Sequence, residues 1–339
     1  MQQNFLIAIH HSKDSYSSRW IEYCTEQKIP FKLVNCYSDS IIEELSDCSA
    51  LMWHHSHINP RDIIFAKQLL FSLQQAGVRV FPDFNTGWHF NDKLGQKYLL
   101  EKLQIPHART YAFFSKKDAN QWIAKTSFPK VFKLRTGASS ANVKLVHSKK
   151  QAELIVHKAF SKGFSQYDGY SSLKERYRKY KLGLTGFNDI LRGIGRLLLP
   201  PLSSITAGRE RGYVYFQDFI AGNHYDIRVM VIGEKAYAIK RMVRENDFRA
   251  SGSGFIIYDK DEINLDAIRL AFKAAKKIKS QCIAFDIVFK AGEPLILEIS
   301  YGVLTSGYDK CPGYWDSALN WYEVKFNPYG WMIEQLFRV

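Results

Sequence analysis

Two carboxylates set in apolar runs are the most chemically pointed residues of this sequence. Asp286 lies within IAFDIVF and Glu298 within LILEIS, where an uncompensated carboxylate is costly to bury. The intervening Ala291-Gly292-Glu293 reads as a hairpin turn that brings the runs into antiparallel register, so the two carboxylates face each other. Such a pair needs a cation. Hard oxygen donors favour Mg2+ or Mn2+, and arginine partners would meet the same need. The pattern leaves both open. Lys133 closes the strand-like VFK and is followed by Gly137, Ala138, Ser139 and Ser140. Small residues let backbone amides approach a phosphate and the lysine adds positive charge. GxxxxGK[ST] is absent, and the bland reading is an ordinary turn. A third group, Arg241, Arg244 and Arg249, precedes a glycine-serine loop at 251–254. Guanidinium forks fit phosphate and carboxylate oxygens, and a solvated basic loop is the alternative.

The elements that would position these groups fall into three stretches. Up to residue 90, short apolar runs (4–9, 31–35, 49–53, 78–81) alternate with amphipathic segments (15–28, 60–76), which is the punctuation of a parallel α/β sheet. His10, His11, His54, His55 and His57 fall at the carboxyl ends of its strands, where ligands sit in such sheets. They could line an acceptor pocket, and their spacing does not suit zinc. Residues 91–106 read as a helix capped by Asn91 or Asp92 and ended by Pro106. Residues 129–146 read as strand, turn and strand. From 213 onward come YVYFQDFI, a hairpin about Gly233, an amphipathic helix over 264–279 and the Asp286/Glu298 hairpin. Residues 161–211 break the pattern and read as an insertion, helical in pieces, with GIGRLLLPPL near its end.

Composition narrows the field. With 46% hydrophobic and 14% aromatic residues in 339, the chain can bury more than one core. Five cysteines without CxxC spacing argue for reduced thiols over disulfides or a zinc knuckle. The net charge is +14, and residues 161–212 carry ten Lys and Arg against four Asp and Glu. Phosphates, an anionic substrate or a membrane surface would each answer that patch. No RNA-binding signature accompanies it, so nucleic acid is not expected as a partner. No apolar run reaches the roughly 18 residues of a membrane span. MQQNFLIAIHHSKD lacks a basic n-region, which sets the expectation of a cytoplasmic protein.

In this order the motifs resemble the ATP-grasp superfamily. The nearest likeness is to the glutamate ligases that extend a ribosomal protein's tail, and glutathione synthetase and D-alanine–D-alanine ligase are more distant. The likeness rests on Asp92-Lys93 at a helix start, the strand lysine Lys133, QDFIAGNHYDIR, DIRVMVIG, NDFRASG and the Asp286/Glu298 pair. It implies an ATP-grasp fold, α+β in the ATP-binding part, behind an N-terminal α/β parallel-sheet pre-ATP-grasp domain. The expected divisions are 1–90, a central subdomain at 91–160, the basic insertion at 161–211 and a C-terminal subdomain at 212–339. By the same resemblance, ATP and Mg2+ (or Mn2+) are the cofactors. Lys93, Lys133, Ser139 and Ser140 would serve the phosphates, Gln217 and Asp218 the adenine edge, Phe219 and Ile220 its faces and backbone contacts, and Asp226 the ribose. Asp286 and Glu298 would hold metal, with Arg241 and Arg249 catalytic. Glu298-Ile299-Ser300 departs from the family's usual Glu-x-Asn, which weakens a second metal position.

The implied activity is carboxylate–amine ligation through an acylphosphate, with small-molecule carboxylate and amine substrates and an anionic acceptor. Joining an amine to a uronic acid in surface polysaccharide synthesis is one form of it. The alternatives are an ATP-grasp kinase acting on a small molecule or sugar, and a non-catalytic nucleotide-binding protein. Membrane proximity through the basic insertion and a homodimer both stay open.

Overall fold

The chain, a computed structural model, is described at residues 5–13, 15–137, 142–181, 183, 185–244, 247–250, 254–302 and 307–337. It divides into two compact units. The first comprises Met1–Phe90, Tyr98–His107 and Gly222–Val339, and the second Asn91–Lys97 and Ala108–Ala221.

The first unit begins with β1 (Ile7–His10), α1 (Ser17–Glu26), β2 (Phe31–Val34), α2 (Ile41–Glu44), β3 (Ala50–Met52), α3 (Pro60–Gln75), β4 (Arg79–Phe81) and α4 (Phe84–Gly87). The four strands pair in the order β2-β1-β3-β4, all parallel, as the alternation predicts. Every residue of β1 is buried, which is why Ile7, Ala8 and Ile9 run apolar without alternation. Asn59 caps α3 by accepting from the Arg61 amide, with Pro60 at the first helical position.

The second unit starts with α5 (Lys93–Lys102), whose residues from Tyr98 on belong to the first unit. Asp92 is its cap, accepting from the Leu94 and Gly95 amides at 3.1 and 3.0 Å. There follow β5 (Thr110–Phe113), α6 (Lys116–Lys125), β6 (Lys130–Lys133), β7 (Lys144–Val146), α7 (Lys149–Ala159) and β8 (Phe164–Ser165). Helices α8 (Gly169–Lys181), α9 (Phe187–Leu198) and α10 (Leu202–Ala207) come next, then β9 (Arg209–Glu210) and β10 (Val214–Asp218). Strands β5-β10-β6-β7 form an antiparallel sheet. Its core face holds Phe132, Val214 and Phe216, packed with Ile123, Val156 and Phe164.

The first unit resumes with β11 (Tyr225–Ile232), β12 (Lys235–Met242), β13 (Ile256–Ile257), α11 (Leu265–Ile278), β14 (Cys282–Lys290) and β15 (Glu293–Ser300). It ends with β16 (Tyr314–Asp316), β17 (Trp321–Tyr322) and α12 (Pro328–Glu334). The sheet runs β15-β14-β11-β12-β16-β17, with β13 beside β12. Period-two alternation gives it two different faces. Ile227, Val229, Val231, Ile283, Phe285 and Ile287 pack on α11 residues such as Ile268 and Ala271. Met230, Ile232, Tyr237, Ile239 and Ala284 share a second cluster with Ile7, Trp20, Met52 and Phe81 of the N-terminal sheet region and with α12. Gln281 ties the two stretches, accepting from the Asp83 amide and donating to the Val80 carbonyl, both at 3.0 Å.

Candidate active site

The β14–β15 hairpin turns at Ala291 and Gly292, both at positive φ (50° and 88°), the geometry that matches strand twist. From that turn the register runs to Ile287 opposite Ile296, shifts by one residue, and resumes with Asp286 directly opposite Glu298. The shift leaves Leu297 as an extra residue, a bulge that re-aims the chain beside Glu298. The carboxylates therefore stand across from each other on neighbouring strands.

Cationic partners come from β11 and β12. Arg228 lies opposite Asp286, and Asp226 opposite Arg241. The Arg228 guanidinium donates to both Asp286 oxygens at 2.5 and 2.6 Å. Arg241 donates to both Asp226 oxygens at 2.7 and 2.6 Å and also reaches Asp286 Oδ2 at 3.0 Å. The result is a chain of alternating charge, Asp226–Arg241–Asp286–Arg228, in which Asp226 and Arg241 are buried. Burial would raise the Asp286 carboxyl, but the Arg228 and Arg241 charges reverse that and hold it well below the usual carboxylate range. Burial raises the Asp226 carboxyl against the pull of Arg241.

Arg228 was not among the residues assigned a role from sequence. The signal was there: two positions from Asp226 in a strand means the same face, and DIR contains both. Asp226, expected at a ribose, is here engaged by Arg241. Arg249 folds back on Asp247, donating to its two oxygens at 2.9 and 2.6 Å. Most of the glycine-serine loop, 251–253, lies outside the described residues.

The donor set suits a hard divalent cation, because two in-register carboxylates supply anionic oxygen. Any such cation must compete with two guanidiniums at Asp286. Ser300 donates its hydroxyl to the Gly302 carbonyl at 3.0 Å. Among the described residues, no group of three or more His, Cys, Asp or Glu is placed to hold a metal ion.

The second unit carries the remaining residues. Lys93 is buried. Its ammonium donates to the Gly137 carbonyl at 2.8 Å, and its amide to the Arg135 carbonyl at 2.9 Å. Asn91 accepts from the Gly137 amide at 2.8 Å, and Asp92 meets Arg135 at 3.0 Å. The helix start and the turn after β6 are thus stitched together. Gly137 sits at φ +102°, a conformation that favours glycine. Ser139 and Ser140 lie outside the described residues. Buried Glu210 anchors the same turn, accepting from the amides of Arg135 and Thr136 at 3.1 and 3.2 Å; no sequence signal marked it.

Register sorts the other candidates by face. Lys133 pairs with Tyr215, and Val131 with Gln217, on the side away from the Phe132/Phe216 core. Asp218 pairs with Lys130 on the opposite side and accepts from its ammonium at 2.6 Å. Gln217 and Lys133 therefore share a face that the Asp218 side chain does not. The expected adenine-edge pair is split, and Asp218 can contribute there only through its backbone. Phe219 and Ile220 follow directly, both half-buried.

Of the histidines at the strand ends, His10, His54 and His55 are packing groups, whereas His11 is exposed. His54 stacks flat on Tyr16 with ring centroids 3.6 Å apart and accepts from the Tyr16 amide. Burial pushes its imidazole down to about 3. His10 accepts from the Cys36 amide at 3.1 Å, and His55 packs against Phe90 and Tyr301. All five cysteines are free thiols.

Comparison with known proteins now identifies the fold. Residues 202–314 match the family model of the RimK-like ATP-grasp domain. A RimK domain ATP-grasp protein from Sphaerobacter thermophilus is similar at TM-score 0.56 and 14% identity, over 98% of this chain and 100% of that one. The D-cycloserine synthetase DcsG matches at 0.58 and 15%, over 98% and 99%. The ATP-grasp ligase PsnB, in complex with a minimal precursor, Mg and ADP, matches at 0.54 and 13%, over 100% of both chains. No curated protein matches in sequence. The chain has the ATP-grasp fold, with a parallel sheet at its N-terminus.

Proposed function

We propose that this ATP-grasp chain is an ATP- and Mg2+-dependent carboxylate–amine ligase that forms an amide through an acylphosphate. The observation that carries the reading is the in-register Asp286/Glu298 pair with Arg228 and Arg241 on the same sheet, within the stretch matching a RimK-like ATP-grasp domain. Phosphoryl transfer to a carboxylate needs positioning and charge neutralisation more than covalent help. On the second unit, Lys93 and Lys133 would hold phosphate oxygens, and Gln217 with Phe219 and Ile220 the base. An ammonium has three donors, so Lys93 can keep the Gly137 carbonyl while binding a phosphate. On the first unit, Asp286 and Glu298 would ligate Mg2+, which when bound neutralises phosphate charge. The Arg228 and Arg241 guanidiniums, on the same sheet, would face developing negative charge. Asp226 keeps Arg241 oriented, and Arg249 would steady the transferred group.

The acceptor is proposed to be anionic, because residues 161–211 concentrate basic side chains. A uronic acid of a surface polysaccharide fits that chemistry. PsnB, complexed with a precursor peptide, adds peptides to the candidate substrates. The test is isotopic. With heavy oxygen in the donor carboxylate, one label passes into inorganic phosphate for each amide made. A stable phosphate ester formed without amine consumption would establish the kinase reading and overturn this one.

A second reading is favoured by one feature: both Asp286 oxygens are held by guanidiniums while serine occupies position 300. On that reading the chain binds nucleotide without turnover. ATP binding with no ADP release across a panel of carboxylate and amine pairs would select it.

A further inference from the structure

Helix α9 leaves an apolar stripe exposed. Its apolar residues Phe187, Leu191, Ile194 and Leu198 recur at the spacing of one helical stripe, and all four are exposed, Leu198 at 84%. The side facing α8 carries Asp189 and Gly193. Asp189 pairs with Arg176, and a Cβ at Gly193 would come within 2.7 Å of Arg176 Cδ and 2.9 Å of Leu173 Cδ1. That close approach fixes which side of α9 faces its neighbour. The apolar surface continues past the helix through Leu199 (77% exposed), Leu202 and Ile205.

The charges exposed in this segment are basic, Arg192 and Arg196 on α9 itself among them. Lys174, Lys181, Arg192 and Arg196 are exposed. The acidic residues of the segment are engaged internally: Asp168 by Ser171, Glu175 by Arg178, Asp189 by Arg176, and Glu210 by the turn after β6.

We infer that α9 and the Leu197–Leu202 segment form an interfacial anchor for an anionic lipid surface. An apolar face rimmed by Lys and Arg is what the headgroup boundary of such a bilayer accepts. At about 1.5 Å per residue, the helix is too short to cross a hydrocarbon core of about 30 Å, so it lies in the plane. A second copy of the chain is disfavoured as occupant, because a two-fold contact would set Arg192 and Arg196 against their own copies.

The experiment is flotation of the full chain with vesicles of phosphatidylcholine alone or with about 30% phosphatidylglycerol. The chain should float with the anionic vesicles only, and high salt should release it. Leu191→Ser with Leu198→Ser and Leu199→Ser should lower partitioning at least about tenfold. So should Lys174→Ser with Arg192→Ser and Arg196→Ser. All these side chains are exposed, so circular dichroism should show both variants folded. Absence of flotation at low salt would overturn the inference and leave the face to an acidic protein. Unchanged flotation of the leucine variant would overturn it too. So would a wild-type dimer that the leucine variant dissociates, since the face would then belong to a second copy.

Discussion

Replacing Arg241 by Met should destabilise the first unit strongly, and the loss should come from Asp226. Arg241 is 6% exposed and donates to both oxygens of Asp226, itself 6% exposed. Among the described residues Asp226 has no other hydrogen-bond partner, whereas Asp286 keeps Arg228. Removing one member of a buried ion pair costs about 3–5 kcal/mol. In a cooperative unit of roughly 150–250 residues, each kcal/mol moves Tm by about 2–4 °C, so a fall of about 6–20 °C is expected. The deficit should depend on pH. Burial already raises the Asp226 carboxyl, and losing Arg241 raises it further. A raised folded value contributes stability that is present in acid and lost as pH rises through it. The variant's deficit should therefore be smallest in acid and widen toward neutrality. Adding Asp226→Asn should recover about 1–3 kcal/mol and flatten that dependence. Calorimetry and urea titration at about pH 5 and about pH 8 measure all three effects. A deficit below about 1 kcal/mol, a deficit independent of pH, or no recovery in the double variant would refute the reasoning.

Other expectations follow from the same geometry. Gln217→Ala should raise KM for ATP about tenfold, while Asp218→Asn should lower stability through Lys130 and leave KM unchanged; equal KM effects would show that the two side chains share a face after all. Asp286→Asn should cut Mg2+-dependent turnover by at least about 10²-fold and also lower Tm, because Arg228 loses its partner. Because the folded Asp286 carboxyl lies well below its ordinary value, its stabilisation is complete above the usual carboxylate range and is lost only as pH falls below that range. Acid titration of wild type against Asp286→Asn should show the difference persisting into strong acid. Ser300→Asn should tighten Mn2+ binding or leave it unchanged, measured by electron paramagnetic resonance, and a large loss of activity there would give Ser300 a different role. Arg228→Met should raise Mn2+ affinity in the absence of nucleotide by freeing the Asp286 oxygens, and unchanged affinity would mean the guanidinium does not compete.

The parts of this fold legible in sequence were those set by local repetition. Alternation in IAFDIVF and LILEIS, with a turn of the right length, located the hairpin and its two carboxylates, while the bulge that sets Asp286 opposite Glu298 carried no sequence signal. The four short apolar runs before residue 90 identified the parallel sheet. What local repetition could not convey was which neighbours each face would meet. Asp286 lay between two readings, metal and arginine, because its guanidinium partners sit some fifty residues away on other strands. Asp218 looked equivalent to Gln217 because adjacency in sequence conceals that adjacent strand residues point to opposite sides. The leucines after Gly195 read as an irregular helical insertion, and only the packing at Gly193 shows their stripe turned outward. His54 and His55 were legible as residues placed for ligands, yet Tyr16, Phe90 and Tyr301 take up their surfaces.

The second hydrophobic cluster has a consequence for the order of assembly. It joins Ile7 and Trp20 to Met230, Tyr237, Trp331 and Ile333, contacts that span nearly the whole chain. Closing such loops is slow, and high contact order delays the nucleus that depends on it. The second unit is almost continuous in sequence, from Ala108 to Ala221, and needs no residue beyond them except the short run 91–97. During synthesis it can therefore reach its native contacts while β1 to β4 still await β11, β14 and α12. Until then the inner side of the N-terminal sheet stays open to solvent, and a nascent chain stalled before residue 328 would be the form most in need of a chaperone.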